Sequence, residues 1–375
     1  MIVNKENNMD IKRKNKINIM RTIFASESIS QKELADTLNI SWPTVLQNVK
    51  KLQEEGLVEE IGEFQSTGGR KARAFAPIQD AYVAIGLSIT KNHVGIVLVD
   101  LSGNLVKYVR KTKAFEMNDE YFQTLGEYVE HIIKNTGYSQ EKILGVGMSL
   151  PGIIDECGET LKYSHVLGLQ DVLKKTFCQY ITYPSTIIND ANAAGHAELW
   201  AEMKPHDIVY LSLSSSVGGA ILMDSTIYMG DNLRAGEFGH NTLVPNGRPC
   251  YCGKLGCVDT YCSEKVLSKH TDGNLALFFE KLSEGDTTIR EVWNEYLDWL
   301  AIIVNNLRMS FDCDVVIGGY VGGFFELFEE DLRERLKLRN TFGTDVSYLR
   351  GCRYKLEASA MGAALQHIEA FIKNL

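Results

Sequence analysis

The sequence predicts a mixed α/β protein with two lobes, preceded by a small helical head. Three observations predict this class. Strand-like segments followed by helices occur twice within residues 81–375, which is typical of two α/β lobes with a cleft between them. Two short capped helices joined by a tight turn precede the lobes. The charge also changes along the chain, because residues 1–80 carry a net +1 and the remainder carries −10.

Length and composition limit the class of protein further. The chain has 375 residues, of which 45% are hydrophobic and 23% charged, so it has room for two or three domains. No apolar run approaches the roughly 20 residues that span a bilayer. The polar N-terminus lacks the apolar core of a signal peptide, and eight cysteines, three of them at metal-ligand spacing, suit a reducing compartment. We therefore expect a cytoplasmic protein that does not enter the membrane.

Residues 1–80 predict a DNA-binding domain. Ser30 is expected to cap the helix QKELADTL, with Glu33 at the capping-box position, and Ser41 to cap the next helix, SWPTVLQNVKKLQEEG. Two such helices predict a helix-turn-helix, whose second helix enters the major groove. The side chains expected to face DNA are Ser41, Thr44, Gln47, Asn48 and Lys51. A basic run before the helices, Lys12, Arg13, Lys14 and Lys16, either contacts phosphates or remains a solvated tail.

A β-hairpin is predicted after Gly56, with its tip at residues 66–69. Arg70 and Lys71 follow the tip directly, so the hairpin forms a basic wing suited to the minor groove or to phosphates. The head resembles winged helix-turn-helix repressor domains. The alternative is a small protein-interaction module with a solvated charged face.

The body divides into two predicted lobes, residues 81–200 and residues 201–375. In the first lobe, strands are expected at 81–89, 94–100, 143–150 and 185–188, with a helix at 120–134. The second lobe begins with strands after Asp207 and continues with a long helix over 288–310. A buried strand, DVVIGG, and a C-terminal helix around EASAMGAALQHIEAFI complete it.

A cluster of cysteines predicts a metal site in the second lobe. The ligand set expected from spacing is His240, Cys250, Cys252 and Cys257. Three thiolates and one imidazole complete a tetrahedral Zn²⁺ shell without a position for catalytic water, so the zinc would be structural. Cys262 either substitutes as a ligand or is a buried free cysteine.

The motif GEFGH followed by CYCGKLGC resembles the signature of the ROK family, which contains bacterial sugar kinases and sugar-responsive repressors. The resemblance covers nearly all of residues 81–375, and the GGRK wing is similar to the regulatory, xylose-repressor-like branch. It implies a duplicated ribonuclease-H-like (actin-like) fold of the two-lobed sugar-kinase type. It also implies that the zinc shapes the loop carrying the sugar-binding residues and takes no part in chemistry.

Candidate sugar-binding residues lie at the ends of predicted elements. Asn189 and Asp190 stand where a strand ends and a helix begins, so Asp190 either binds a ligand or caps the helix. The segment INDANAA resembles the ROK motif whose aspartate is the general base of the kinases. Glu237 and His240 match sugar-contacting positions, with His240 directing one ring nitrogen to zinc and the other to the ligand. Asp259 is expected to contact the sugar from a position where the family usually carries glutamate.

The segments that would hold ATP depart from the kinase pattern. Kinases of the family carry an acidic residue followed by Gly-Gly-Thr after the first strand, but this chain has Ser88 followed by Thr90-Lys91-Asn92. The second phosphate loop, residues 215–219, has lost its first glycine, whereas Gly318-Gly319 is retained near the expected adenosine site. Because phosphoryl transfer depends on close backbone approach and charge neutralisation, we expect none here.

The sequence therefore predicts a sugar-responsive DNA-binding regulator, a repressor of carbohydrate-utilisation genes, that is not an enzyme. Its expected partners are operator DNA, a small sugar and further copies of the chain in a homodimer or tetramer. The first alternative is an ATP-dependent ROK sugar kinase with an appended DNA-binding head. The second is a body that binds a phosphotransferase-system protein, as some relatives do. A xylose-type pentose, glucose and an N-acetylated hexose all suit the predicted sugar residues.

Overall fold

The computed structural model describes residues 8–64, 72–201 and 206–375. In the head, three helices precede a hairpin. The elements are α1 (Asn8–Phe24), β1 (Ile29–Ser30), α2 (Gln31–Leu38), α3 (Trp42–Glu54), β2 (Val58–Glu63) and β3 (Arg73–Pro77). The strands form one antiparallel sheet in the order β1-β3-β2, which confirms the predicted hairpin. Arg70 and Lys71, predicted to act in the wing, lie outside the described residues.

Local hydrogen bonds explain where α2 begins, whereas α3 begins without a side-chain cap. The Ser30 hydroxyl accepts from the Glu33 amide at 3.2 Å, and the Glu33 carboxylate accepts from the Ser30 amide at 2.8 Å. This confirms the capping box, and the same bonds lower the pKa of Glu33. Ser41 occupies the N-cap position of α3, but its hydroxyl bonds the Thr44 hydroxyl at 2.8 Å and no backbone amide.

The first lobe is built on one sheet with helices at its faces. Its elements are β4 (Val83–Ile89), β5 (His93–Asp100), β6 (Leu105–Thr112), α4 (Asp119–Thr136), β7 (Ile143–Leu150), β8 (Ile153–Ile154), β9 (Thr160–Ser164), β10 (Leu169–Leu173), α5 (Lys174–Phe177), β11 (Ser185–Asn189) and α6 (Asp190–Trp200). The main sheet has the order β11-β7-β4-β5-β6, and β10-β9-β8 form a smaller antiparallel sheet.

The second lobe carries the long helix and the cysteine cluster. Its elements are β12 (Ile208–Leu213), β13 (Val217–Met223), β14 (Thr226–Ile227), α7 (Asp259–Cys262), α8 (Lys265–Ser268), α9 (Leu275–Ser283), α10 (Thr287–Phe311), β15 (Asp314–Gly318), α11 (Gly319–Gly322), α12 (Glu329–Lys337), β16 (Leu349–Gly351) and α13 (Ala358–Lys373). The sheet has the order β14-β13-β12-β15-β16.

The two main sheets have the same topology. In each, the first three strands form an antiparallel meander with the first strand at the centre of the sheet. The fourth and fifth strands then continue parallel to the first on its other side. This repetition confirms the predicted duplicated ribonuclease-H-like fold.

Two helices cross between the sheets. Helix α6 packs on the second sheet, where Gly195 lies against Ala220. Helix α13 packs closely on the first sheet. A side chain at Gly86 or Gly147 would collide with the backbone of α13, so these strand positions require glycine. Helix α6 belongs to the first lobe by sequence but packs on the sheet of the second, and α13 does the reverse. A boundary between the lobes at residue 200 does not describe these contacts. The sequence-based boundary had placed α13 with the second lobe alone.

The head packs directly on the body. Buried side chains of α1 and α3, among them Ile19 and Leu52, belong to one apolar cluster with Ile368 of α13. The rings of Tyr82 and Phe371 meet at this junction with centroids 4.9 Å apart. Within the described residues, no helix combines the length and apolar character that crossing a bilayer requires.

Candidate functional site

The four predicted metal ligands lie together in the second lobe. The ligand atoms of His240, Cys250, Cys252 and Cys257 all lie within 4.8 Å of one another. The Cys252 and Cys257 sulfurs are 3.7 Å apart, and the Cys250 sulfur is 3.9 Å from Nδ1 of His240. Zn–S bonds of about 2.3 Å place tetrahedral sulfur ligands roughly 3.8 Å apart, so the cluster fits a zinc ion.

The thiols of the cluster have shifted pKa values, which are raised at Cys250 and Cys257 and lowered at Cys252. Burial raises the pKa of the Cys250 thiol to about 12, so without a cation this group stays protonated at neutral pH. A divalent cation at the centre of the cluster would favour thiolates instead. Cys262 is fully buried, and the cluster found among the described residues does not include it.

The second ring nitrogen of His240 has a protein partner. Its Nε2 atom lies 3.3 Å from the Tyr251 hydroxyl, whereas the sequence predicted that this nitrogen would face the ligand. The Tyr251 ring stacks on His165 with centroids 4.4 Å apart and planes inclined by 16°. Because His165 follows β9, this stack joins the cysteine segment to the first lobe. Neither ring was singled out from the sequence, although the position of Tyr251 between two ligands could have drawn attention to it.

The residue that caps α6 is the neighbour of Asp190. Asn189 is the N-cap of α6, since its Oδ1 accepts from the Asn192 amide at 2.9 Å. Its Nδ2 donates to the carbonyl of Gly152 at 2.9 Å, so both ends of this amide have protein partners. Asp190 accepts from the Ala191 amide at 3.0 Å and is partly buried. The helix cap is therefore Asn189 and not Asp190.

Two carboxyl groups of the cleft are electrostatically coupled. Burial, together with the nearby negative charge of Glu237, raises the pKa of Asp190 from 3.8 to about 6, against the opposing hydrogen bond from the Ala191 amide. The surrounding protein also reduces hydration of Glu237 and raises its pKa, while His240 and Arg234 oppose this shift. The structure thus brings together predicted residues from both lobes. Perturbed carboxyl groups in a cleft are typical of a ligand site.

Asp259 forms a hydrogen bond within the second lobe. It is buried, and its Oδ1 accepts from the Val217 amide at 2.6 Å. This bond ties the start of α7 to the start of β13, next to the second predicted phosphate loop. Burial raises the pKa of Asp259, and the bond from Val217 opposes that shift. At least one of its oxygens therefore has a structural partner.

One residue of α3, Asn48, does not face the surface as predicted. Asn48 was expected to face DNA, but it is only 8% exposed and its Nδ2 donates to the Thr44 carbonyl at 2.7 Å. The helical period explains this, because Asn48 lies three residues after Val45 and four before Leu52, both fully buried. Gln47 and Lys51 are exposed as predicted.

Comparison with known proteins decides the family. The model of the ROK family matches residues 84–369, which is more than half of the chain. The chain belongs to the ROK family. A model of winged helix-turn-helix DNA-binding domains matches residues 12–59. This ROK protein thus combines the family domain with a DNA-binding head, as the sequence predicted.

Similar proteins include both repressors and kinases. The xylose repressor of Caldicellulosiruptor bescii is 28% identical over 88% of this chain and 89% of its own length. The N-acetylmannosamine kinase of Escherichia coli O9:H4 is 32% identical, over 59% of this chain and 78% of its own. A solved ROK family transcriptional regulator, described as a homologue of the Escherichia coli Mlc protein, superimposes with a TM-score of 0.73. It covers 97% of this chain and 98% of its own at 17% identity, which shows a shared fold.

Proposed function

We propose that this ROK protein is a sugar-responsive, DNA-binding transcriptional repressor of carbohydrate genes. The observation that carries the proposal is the packing of a winged helix-turn-helix head on the last helix of a ROK body. A ligand that moves the lobes would also act on α13, and so on the head. The xylose repressor of Caldicellulosiruptor bescii aligns along both parts, which supports the same role for this chain.

The sugar would bind in the cleft between the lobes. Asp190 and Glu237 offer carboxylate acceptors for neighbouring hydroxyl groups, and their coupled pKa values support a shared ligand. Asn189, His240 and Asp259 would act mainly by shaping the site, since each already has a protein partner. A pentose such as xylose is the first sugar to test, because the chain aligns with xylose repressors.

The body would bind this sugar without phosphorylating it. Ser88, at the position of the kinase acid, is buried and accepts a hydrogen bond from the Ser359 hydroxyl at 2.8 Å. The Thr90 hydroxyl closes its own turn by bonding the His93 backbone. The Gly319 amide donates to the Tyr210 hydroxyl at 3.3 Å. These bonds engage groups at the positions where a nucleoside triphosphate and its metal would bind. Ser88 offers no carboxylate to replace the acidic residue of the kinases.

A structural zinc ion would be held by His240, Cys250, Cys252 and Cys257. Its role would be to fix the loop between Glu237 and Asp259, which carries residues of the sugar site. The imidazole-to-Tyr251 bond would orient the ring, as partners of metal-bound histidines commonly do.

Binding of operator DNA would require a dimer. One winged helix-turn-helix module offers a small interface, and two heads on a palindromic site double it. We propose residues 1–80 as the DNA-binding domain, with Arg70 and Lys71 in its wing, and residues 81–200 and 201–375 as the lobes. A phosphotransferase-system protein remains an alternative partner of the body, to be tested by pull-down from sugar-grown cells.

A sugar kinase with a DNA-binding head is the second candidate. It is favoured by the 32% identity to the Escherichia coli O9:H4 N-acetylmannosamine kinase, which extends over 59% of this chain. The deciding experiment measures operator affinity of the full chain with and without xylose, glucose and N-acetylmannosamine. The same sugars are then incubated with protein, Mg²⁺ and ATP. A sugar-dependent change in operator affinity without ADP release supports the repressor, and turnover of ATP would establish the kinase.

A further inference from the structure

Helix α3 exposes two large apolar side chains at the positions expected to approach DNA. Trp42 is 49% exposed and Leu46 is 48% exposed. Residues four apart lie on one face of a helix, so the two side chains form a continuous apolar strip over the first turns of α3.

The polar side chains of the same turns are largely engaged within the helix. The hydroxyls of Ser41 and Thr44 bond each other, and the buried amide of Asn48 donates to the Thr44 carbonyl. Gln47 remains exposed beside the strip. Ser41, Thr44 and Asn48 thus each have a hydrogen-bond partner within the helix.

We propose that Trp42 and Leu46 contact the C5-methyl groups of thymine in the major groove. Residues in the N-terminal half of a recognition helix contact base edges, and the thymine methyl is the apolar group displayed there. The proposal rests on the DNA-binding function proposed above and adds the chemical feature that this helix recognises. Operator half-sites for this chain would therefore contain thymines at fixed positions.

The surroundings of the strip favour DNA over a protein partner. Val45 and Val49, which flank the strip along α3, are fully buried in the core of the head, so the strip lies at the border of that core. Lys50 and Lys51 extend beyond the strip on the exposed side, which suits a groove lined by phosphates. A strip of two side chains is also small beside the about 800 Å² that each partner buries in a stable protein interface.

The test removes single methyl groups from the DNA. A preferred site is first selected from a random-sequence library with the full chain, and each thymine is then replaced in turn by uracil. We expect one or two replacements in each half-site to weaken binding by about fourfold, because burying one methyl-sized group contributes about 0.8 kcal/mol. Leu46→Ala and Trp42→Ala should each abolish the difference between thymine and uracil at one of these positions.

Control variants separate readout from folding. Leu327→Ala removes an apolar side chain of the body that is 64% exposed, and it should retain the full thymine preference. Leu46→Met keeps an apolar group in place and should restore most of the preference lost in Leu46→Ala. Circular dichroism melts identify any variant whose head has unfolded.

Two results would overturn the proposal. The first is that no uracil replacement weakens binding of the unaltered chain, or that the alanine variants lose affinity equally for the thymine-containing and the uracil-containing sites. In the second, Trp42→Ala and Leu46→Ala change the sedimentation of the protein without DNA, which would assign the strip to a contact between copies. A chain that selects no DNA site at all would instead refute the DNA-binding function itself.

Discussion

The Nζ atom of Lys16, in the first helix of the head, lies 3.4 Å from the backbone oxygen of Leu375, the last residue of the body. The same ammonium group contacts Glu55 at the end of α3 at 2.5 Å, and the lysine side chain is mostly buried. One cation therefore joins the recognition helix to the C-terminus that follows α13. The sequence assigned this lysine either to phosphate contacts or to a solvated tail, and both assignments are wrong for Lys16.

Lys16→Met should weaken the coupling between sugar and DNA binding. The methionine keeps the apolar stem but leaves Glu55 without its cation, so we expect a loss of stability of about 1 kcal/mol. Sugar affinity, measured by thermal shift, should be unchanged, whereas the sugar-dependent change in operator affinity should shrink. Lys373→Met is the matched control, since the Lys373 side chain is exposed and pairs with Glu369 of its own helix. An undiminished sugar response in Lys16→Met would exclude this contact as part of the coupling.

Metal analysis should find one zinc ion for each chain. Cys252→Ser removes one ligand of the cluster and should lower the melting temperature and the sugar response together, because the loop from Glu237 to Asp259 loses its anchor. Cys157→Ser alters an exposed cysteine outside the cluster and should change neither property. Protein purified without chelators that contains no stoichiometric metal would refute the zinc site.

Asp190→Asn should stabilise the protein at neutral pH. The folded-state pKa of about 6 lies above the ordinary value of 3.8, so the folded state holds its proton more tightly. Stability contributed by this group is present at low pH and is lost as the pH rises through about 6, by at most roughly 3 kcal/mol. Melts from pH 4 to pH 8 should therefore show a flatter profile for Asp190→Asn than for the unaltered chain. Parallel profiles would mean that Asp190 ionises normally.

Sugar affinity should have the opposite pH dependence if the Asp190 carboxylate accepts a hydrogen bond from the sugar. Protonation below about pH 6 removes that acceptor, so binding should weaken as the pH falls. Asp190→Ala and Glu237→Ala should bind operator normally and lose the response to sugar, as measured by mobility shift. Removing a helix cap lowers the free energy of unfolding by about 1 kcal/mol. Asp190→Ala should not show this loss, because the cap is Asn189. A normal sugar response in both variants would place the sugar elsewhere.

Two neighbouring residues of α3 should behave differently on mutation. Gln47→Ala should cost roughly 1–3 kcal/mol on the operator and relax base preference, because Gln47 is exposed. Asn48→Ala should change the melting temperature and leave the ratio of operator to random-DNA affinity intact, because its amide is bonded within the helix. Arg70→Ala should weaken binding to all sequences alike. Titrations on operator and random DNA distinguish the three results, and a loss of preference in Asn48→Ala would contradict the burial of its side chain.

Local sequence patterns determined much of this protein. The capping box of Ser30 and Glu33 and the span of the strand over residues 143–150 depend on neighbours in the chain, and both were predicted correctly. The same local spacing predicted that His240, Cys250, Cys252 and Cys257 form a cluster, and their ligand atoms do lie together. The identity of the family also followed from a short motif, GEFGH with CYCGKLGC. These features are local, so the periodicity and side-chain chemistry of a few residues are sufficient to predict them.

Contacts between distant residues were decided only by the tertiary structure. The exchange of α6 and α13 between the lobes depends on close packing at Gly195 and Gly86 against residues far away in the chain. The partner of His240 Nε2 proved to be Tyr251, and the amide held by Asp259 proved to be that of Val217. Lys16 looked like a surface residue because its sequence neighbours are polar, yet the C-terminus and Glu55 surround it. A charged group is buried where folding brings its partners, and local patterns contain no information about that position.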